Sequence, residues 1–232
     1  ACAIIKNLDL DDEKIREIIQ IQEKLHVTYG RHRKKAAIGI YPFGKIKPPI
    51  HYKAMKPEEV KFQPLEAEKE MTAKEILEEH PTGKEYAHLL EGKDKYPVFT
   101  DSEGKILSMP PVINSEAVGR VDENTNEIFI ECSGHEYGVL SRCLNIIVTA
   151  MADMGGEIHS MKLGYGKETI TPGLEPEKMD ADVSYINKIL GTELDEEEFK
   201  ENLERMGLGY EKGKALIPAY RADILHQVDL AE

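Results

Sequence analysis

Tryptophan is absent from this 232-residue chain, cysteine occurs three times, and aromatic residues make up only 6%. Cys2, Cys132 and Cys143 are an odd number with no CxxC spacing, so neither a disulfide framework nor a thiolate zinc site finds support, and buried free thiols are expected. Positive charge is also scarce. Thirty Lys and Arg against 43 Asp and Glu leave a net charge of -13, which argues against a molecule whose whole surface grips nucleic acid. Any such contact must be local. No stretch of 18 apolar residues exists to cross a bilayer, and the first residues lack a basic region followed by an apolar run and a small-residue cleavage site. A cytoplasmic protein is expected, with neither membrane nor DNA as a partner. The phosphate-cradling patterns GxxxxGKS/T and GxGxxG, the zinc pattern HExxH and the esterase elbow GxSxG are missing as well.

What remains is a hydrophobic content of 41%, enough for real cores in one large domain or two modest ones. Ile15, Ile18, Ile19 and Leu25 recur at helical spacing, which predicts an amphipathic helix from Asp11 to about Tyr29, with Gly30 beyond its end. Ala36 to Tyr41 reads as a strand, and the proline-rich stretch through Pro49 cannot be a central one. Thr72-Ala-Lys-Glu75 is a capping box opening a short helix, closed at His80-Pro81 before a second helical piece from Glu85 to Leu90. Tyr96 to Thr100 and Lys105 to Met109 read as a hairpin around a turn ending in Gly104, and Pro110-Pro111 ends its second strand. Ile128, Ile130 and Cys132 alternate, predicting a half-buried strand. It runs into Ser133-Gly-His-Glu136, a second capping box, and a long helix with Leu140, Cys143, Leu144, Ile147 and Met151 on its buried stripe. Two strands, 157–165 and 168–171, complete an α+β module with a mixed or antiparallel sheet over residues 1–171.

Beyond Pro172-Gly173, helices over 182–190 and 195–206 each end at a glycine. A strand pair and a last helix from about Asp223 follow, giving a small helical α+β module over 172–232. The chain stops within that expected helix, so this module is expected to be truncated.

Lys105-Ile-Leu-Ser-Met-Pro-Pro-Val-Ile-Asn-Ser115 and Ile128-Phe-Ile-Glu-Cys132 closely resemble the editing module of the phenylalanyl-tRNA synthetase beta subunit of archaea and eukaryotes. Gln22-Glu-Lys-Leu25, Ala37-Ile-Gly39 and Lys45-Ile-Lys-Pro-Pro-Ile50 resemble its entry segment, and Ile217 to Ile224 with Val228 to Glu232 the module after it. The resemblance implies hydrolysis of tyrosine wrongly joined to tRNA(Phe), in a complex whose synthetic, ATP-using site belongs to the alpha subunit. Such a site must position water, bind an oxyanion and hydrogen-bond a phenol that phenylalanine lacks.

Asn114, Ser115, Ser133, His135 and Glu136 are the candidate catalytic groups, with Ser108, Pro110 and Glu131 as substrate contacts. The Ser133 to Glu136 junction is open to two readings, reciprocal capping or part of the site. Relatives often carry Thr-Gly-Thr-Asp there, and this departure favours the alternative of a catalytically idle tRNA-docking or subunit-packing module. Arg31, Arg33, Lys34 and Lys35 form the one dense basic run, either a solvated face or an RNA contact. Asp223, Asp229 and Glu232 match positions that bind magnesium in the family, an oxygen set suited to a hard cation. Asp229 and Glu232 can share a helix face, whereas Asp223 would act from the cap.

Overall fold

The computed structural model describes the whole chain except the side chain of Lys167. Its backbone separates into two units, Ala1–Pro172 and Gly173–Glu232. The first begins with β1 (Cys2–Lys6), α1 (Asp12–Val27), β2 (Ala36–Pro42), β3 (His51–Met55), β4 (Lys61–Phe62) and β5 (Met71–Thr72). Next come α2 (Ala73–Glu79), α3 (Pro81–Tyr86), β6 (Tyr96–Thr100), β7 (Ile106–Met109) and β8 (Ile113–Asn114). It closes with β9 (Ile128–Gly134), α4 (Tyr137–Asp153), β10 (Glu157–Tyr165) and β11 (Lys167–Thr171). A five-stranded sheet runs in the order β11-β10-β1-β9-β2 and a four-stranded one in the order β3-β6-β7-β8. Pairing is antiparallel in both, so the fold is α+β.

Local chemistry explains the helix ends. Asp11 accepts from Lys14 N at 2.8 Å to start α1, and Thr72 and Glu75 cap α2 reciprocally. The next helix starts at Pro81 rather than Glu85 because a helix's first position leaves its N–H unpaired anyway, which suits proline. Helix α4 buries Leu140, Leu144, Ile147 and Met151 against Ile5, Ile38, Ile128 and Ile130 on one face of the larger sheet. Each such side chain contributes about 1.5–3 kcal/mol.

Strand β9 departs from the expected half-buried pattern. Ile128, Ile130 and Cys132 join the α1 and α4 core, but Phe129 is equally buried among Tyr41, Ile46, Leu107 and Val118. The second face is covered by protein, not water. The strand also runs on through Ser133 and Gly134, which pair with Ala37 and Ala36 of β2. The capping box expected at Ser133 therefore does not form: the cap position of α4 is Glu136, whose side chain makes no capping bond.

The second unit holds β12 (Glu177–Asp180), α5 (Val183–Leu190), α6 (Glu196–Arg205), β13 (Gly209–Glu211) and β14 (Lys214–Ile217). Its antiparallel sheet runs β12-β14-β13. Asp182 caps α5, Gly191 ends it at φ 70°, and Asp195 with Glu198 boxes α6. The expected helix from Asp223 is only a 3-10 turn, Gln227–Leu230. Asp229 reaches back to the amides of Leu225 and His226, which fixes a tight turn in place of a helix start.

Candidate functional site

The first unit carries a cleft of about 440 Å³. Ile15, Ile18, Ile19, Gln22, Glu23 and His26 of α1 and Ala37, Ile38 and Ile40 of β2 form one side. Ser108, Pro110, Pro111, Val112, Ile113 and Asn114 form another, with Glu131 of β9 at the base. An aminoacyl group falls within the range such pockets take.

Four polar groups from four strands meet there. The Tyr41 hydroxyl of β2 lies 2.8 Å from Ser108 Oγ of β7 and 3.3 Å from both Asn114 Oδ1 of β8 and Glu131 Oε1 of β9. Register explains the meeting, because Gly39 faces Glu131 across the ladder and Ser108 faces Asn114. A Cβ at Gly39 would lie 2.5 Å from Glu131 Oε1 and would also strike the Tyr41 hydroxyl. Glu131 is 2% exposed, and burial raises its pKa to about 7. Among the described residues no partner lies within hydrogen-bond geometry of its buried Oε2. Burial, then the nearby Glu131 charge, push the Tyr41 phenol well above its usual range.

Two side chains of α1 hold the neighbouring edge strand in place. Gln22 Nε2 donates to Ile38 O at 2.7 Å, and Ile38 N donates to His26 Nε2 at 2.8 Å. An exposed sheet edge is thereby covered. Because Nε2 accepts, the His26 proton sits on Nδ1, which donates to Glu23 Oε1 at 3.1 Å. Burial lowers the His26 pKa.

The basic run does not present four free cations. Arg31, His32 and Arg33 take left-handed φ values of 49°, 53° and 63°, a costly conformation for residues with a Cβ. That turn sends Arg33 inward, where it donates to Val112 O at 2.9 Å and sits 4.2 Å over the Tyr86 ring. Lys35 pairs with Glu136 at 2.9 Å. Arg31 and Lys34 remain exposed.

Among the expected site residues, Ser108, Pro110, Asn114 and Glu131 line one cleft. Ser115 is buried behind it, with its N donating to Leu107 O at 2.8 Å. Ser133 is buried in β9 with no partner in hydrogen-bond geometry for Oγ among the described residues, while His135 and Glu136 are exposed beyond the strand. The Ser133 to Glu136 junction and the Asn114-Ser115 loop thus do not share the cleft wall. Tyr41, Gly39, Gln22 and His26 were not anticipated from sequence. A glycine inside a strand signals close backbone or side-chain approach, and Gly39 carried that signal.

Two of the three magnesium candidates, Asp223 and Asp229, are engaged by protein groups. Arg221 Nε and Nη2 donate to Asp223 at 2.9 and 2.7 Å, and Asp229 Oδ2 accepts two backbone amides. Among the described residues no group of three His, Cys, Asp or Glu could hold a metal.

The two units of the chain each match a known domain family. The B3/4 domain model matches residues 10–142 and the tRNA synthetase B5 domain model residues 179–232. The chain is 46% identical over 235 aligned positions to the phenylalanine–tRNA ligase beta subunits of Thermococcus sibiricus and Pyrococcus abyssi, covering 99% of itself and 42% of each. It thus spans about two fifths of the length of these curated relatives. It superposes on the crystal structure of an N-terminal fragment of the phenylalanyl-tRNA synthetase beta subunit from Pyrococcus horikoshii with a TM-score of 0.95 and 45% identity, covering 99% of this chain and 67% of that one. The chain belongs to the phenylalanyl-tRNA synthetase beta subunit family.

Proposed function

We propose that the first unit is a hydrolytic editing module, which frees tyrosine from tRNA(Phe) within a phenylalanine–tRNA ligase built with an alpha subunit. The observation that carries this reading is the buried, unpaired Oε2 of Glu131, a residue that lines a cleft of about 440 Å³. A phenol reaching Glu131 would donate to that oxygen. Phenylalanine would leave it unpaired, at a cost of about 1–3 kcal/mol. Asn114 lines the same cleft as the phenol-reading group, and Ile15, Ile18 and Ile19 of α1 give it an apolar flank. The ester would be attacked by water at its carbonyl, with the ribose hydroxyl as leaving group. The alternative, an idle tRNA-docking or subunit-packing module, draws on the outward placement of His135 and Glu136.

Incubating the chain with tyrosyl-tRNA(Phe) and with phenylalanyl-tRNA(Phe) separates the two readings. Release of tyrosine with phenylalanine retained supports editing; RNA binding without release of either supports docking. Exposed Arg31 and Lys34, rather than the whole basic run, would carry the RNA contact in either case. The cytoplasm is the compartment where such a substrate is found.

A further inference from the structure

We propose that Tyr41 sets the polarity of the pocket's reading group, engaging Glu131 Oε1 as its own partner and leaving Oε2 as a dedicated acceptor for the substrate phenol. This deepens the editing assignment and rests on it.

A hydroxyl has one hydrogen, yet the Tyr41 oxygen faces Ser108 at 2.8 Å and Asn114 and Glu131 at 3.3 Å. Two arrangements satisfy the chain. With Glu131 neutral, its proton sits on Oε1 and is donated to Tyr41, whose own hydrogen goes to Ser108. With Glu131 ionised, that proton has left for solvent and the chain reverses: Ser108 donates to Tyr41, and Tyr41 donates to Oε1. Oε2 bears no proton in either state. Burial places the titration near neutral pH, so both states matter to the working protein.

The groups facing Glu131 leave this assignment standing. Cys2 of β1 lies opposite it in the ladder, Tyr41 comes from β2, and the more distant Tyr52 belongs to β3. The Ala1 amino group adds a positive charge, and the Ser133 hydroxyl on β9 acts on the carboxyl as a side-chain hydrogen-bond donor, both favouring its ionised form. Among the described residues none of them lies in hydrogen-bond geometry with Oε2, and beside Tyr41 the Ser133 hydroxyl is the one close enough to act on the carboxyl.

The test measures binding of L-tyrosinamide and L-phenylalaninamide, two non-hydrolysable stand-ins, to the chain and to Tyr41→Phe between about pH 5.5 and 8.5, the range flanking the titration. The variant keeps the ring that stacks on Phe129 at 5.9 Å. In the unaltered chain the preference for tyrosinamide should persist at low pH, where Oε2 accepts as a neutral carbonyl oxygen, and rise as Glu131 ionises and the bond becomes charge-assisted. In Tyr41→Phe the neutral acid is free to place its proton on Oε2, so the preference should fall about tenfold at low pH, the worth of one hydrogen bond. It should recover as pH rises and Glu131 ionises. Equal weakening of both amides with no pH dependence would mean a packing role and overturn the proposal.

A second readout needs no variant. At about pH 6, below its titration, Glu131 is a neutral buried carboxyl among ionised ones, so its infrared carbonyl band is separable. Tyrosinamide should lower that band and phenylalaninamide leave it; an unmoved band would overturn the role of Oε2. A chain that prefers neither amide sinks the pocket assignment itself, and the role of Tyr41 with it. A chain that discriminates, alongside a Tyr41→Phe variant that discriminates equally at every pH, sinks the role of Tyr41 alone.

Discussion

Adding one methyl group at Gly39 tests the polar node at its tightest point. The new Cβ would strike the Tyr41 hydroxyl and lie 2.5 Å from Glu131 Oε1 and 2.7 Å from Tyr41 Cε2. Gly39 lies within β2 without a positive φ, so alanine is unstrained there and would by itself gain about 0.5–1 kcal/mol. Overpacking opposes this by about 1–3 kcal/mol. Displacing Tyr41 from Ser108 leaves buried polar groups unpaired, for about another 1–3 kcal/mol. The net loss should be about 2–4 kcal/mol, which for a unit of this size lowers Tm by roughly 5–15 °C. Gly44→Ala is the control, because its Cβ would meet nothing within 4 Å. Calorimetry should show a clear drop for Gly39→Ala alone, and tyrosinamide binding should vanish with it. A Gly39→Ala variant that melts with the control and still binds would refute the claim that the node is close-packed.

Arg33→Ala should cost about 2–3 kcal/mol through its lost bond to Val112 O and its place over Tyr86, and Arg33→Lys should not restore it, since an ammonium cannot fork and stack. Chemical denaturation checks both. Replacing Arg31 and Lys34 by Ala should leave stability unchanged while reducing tRNA affinity and its salt slope by about two ionic contacts; an unaltered slope would move the RNA surface elsewhere. Magnesium should not bind tightly, because Asp223 and Asp229 are already engaged, and titration calorimetry giving a Kd below about 10 μM would contradict this. Glu131 has its pKa raised by burial from an ordinary 4.5 to about 7. Over that interval the folded chain holds a proton that the unfolded chain releases, so stability should fall as pH climbs through it, and Glu131→Gln should flatten the slope.

The hairpin at 96–109, the α4 stripe, the capping box of α2 and the glycine ends of α5 and α6 were legible because each is specified by neighbours in sequence. Apolar periodicity and capping pairs act over three or four residues, and nothing distant overrides them there. Short polar strands were less readable: Glu177 to Asp180 offers only Met179 as an apolar mark, yet it pairs with β14 over four positions. The last segment misled for a related reason. Asp223 looks like a helix-start acid and Asp229 like a residue within that helix, but Arg221 claims the first and two loop amides the second.

The site itself was half legible, and the missing half follows from how antiparallel register works. Glu131 and Ser133 lie on the same face of β9, so a reading that extends the strand places both against β2. Ser133-Gly-His-Glu136 also satisfies the capping pattern, and that local pattern competes with the strand for the same residues. The ladder prevails because Ala36 and Ala37 supply small partners up to Gly134, where a Cβ would collide with Lys35 O. Once the strand runs that far, Glu136 is carried out to Lys35 and Glu131 is left facing Gly39. Only a glycine at that rung leaves room for the carboxyl and the Tyr41 hydroxyl together. The pocket's chemistry is therefore fixed by a pairing between residues 92 positions apart, which no window along the chain contains.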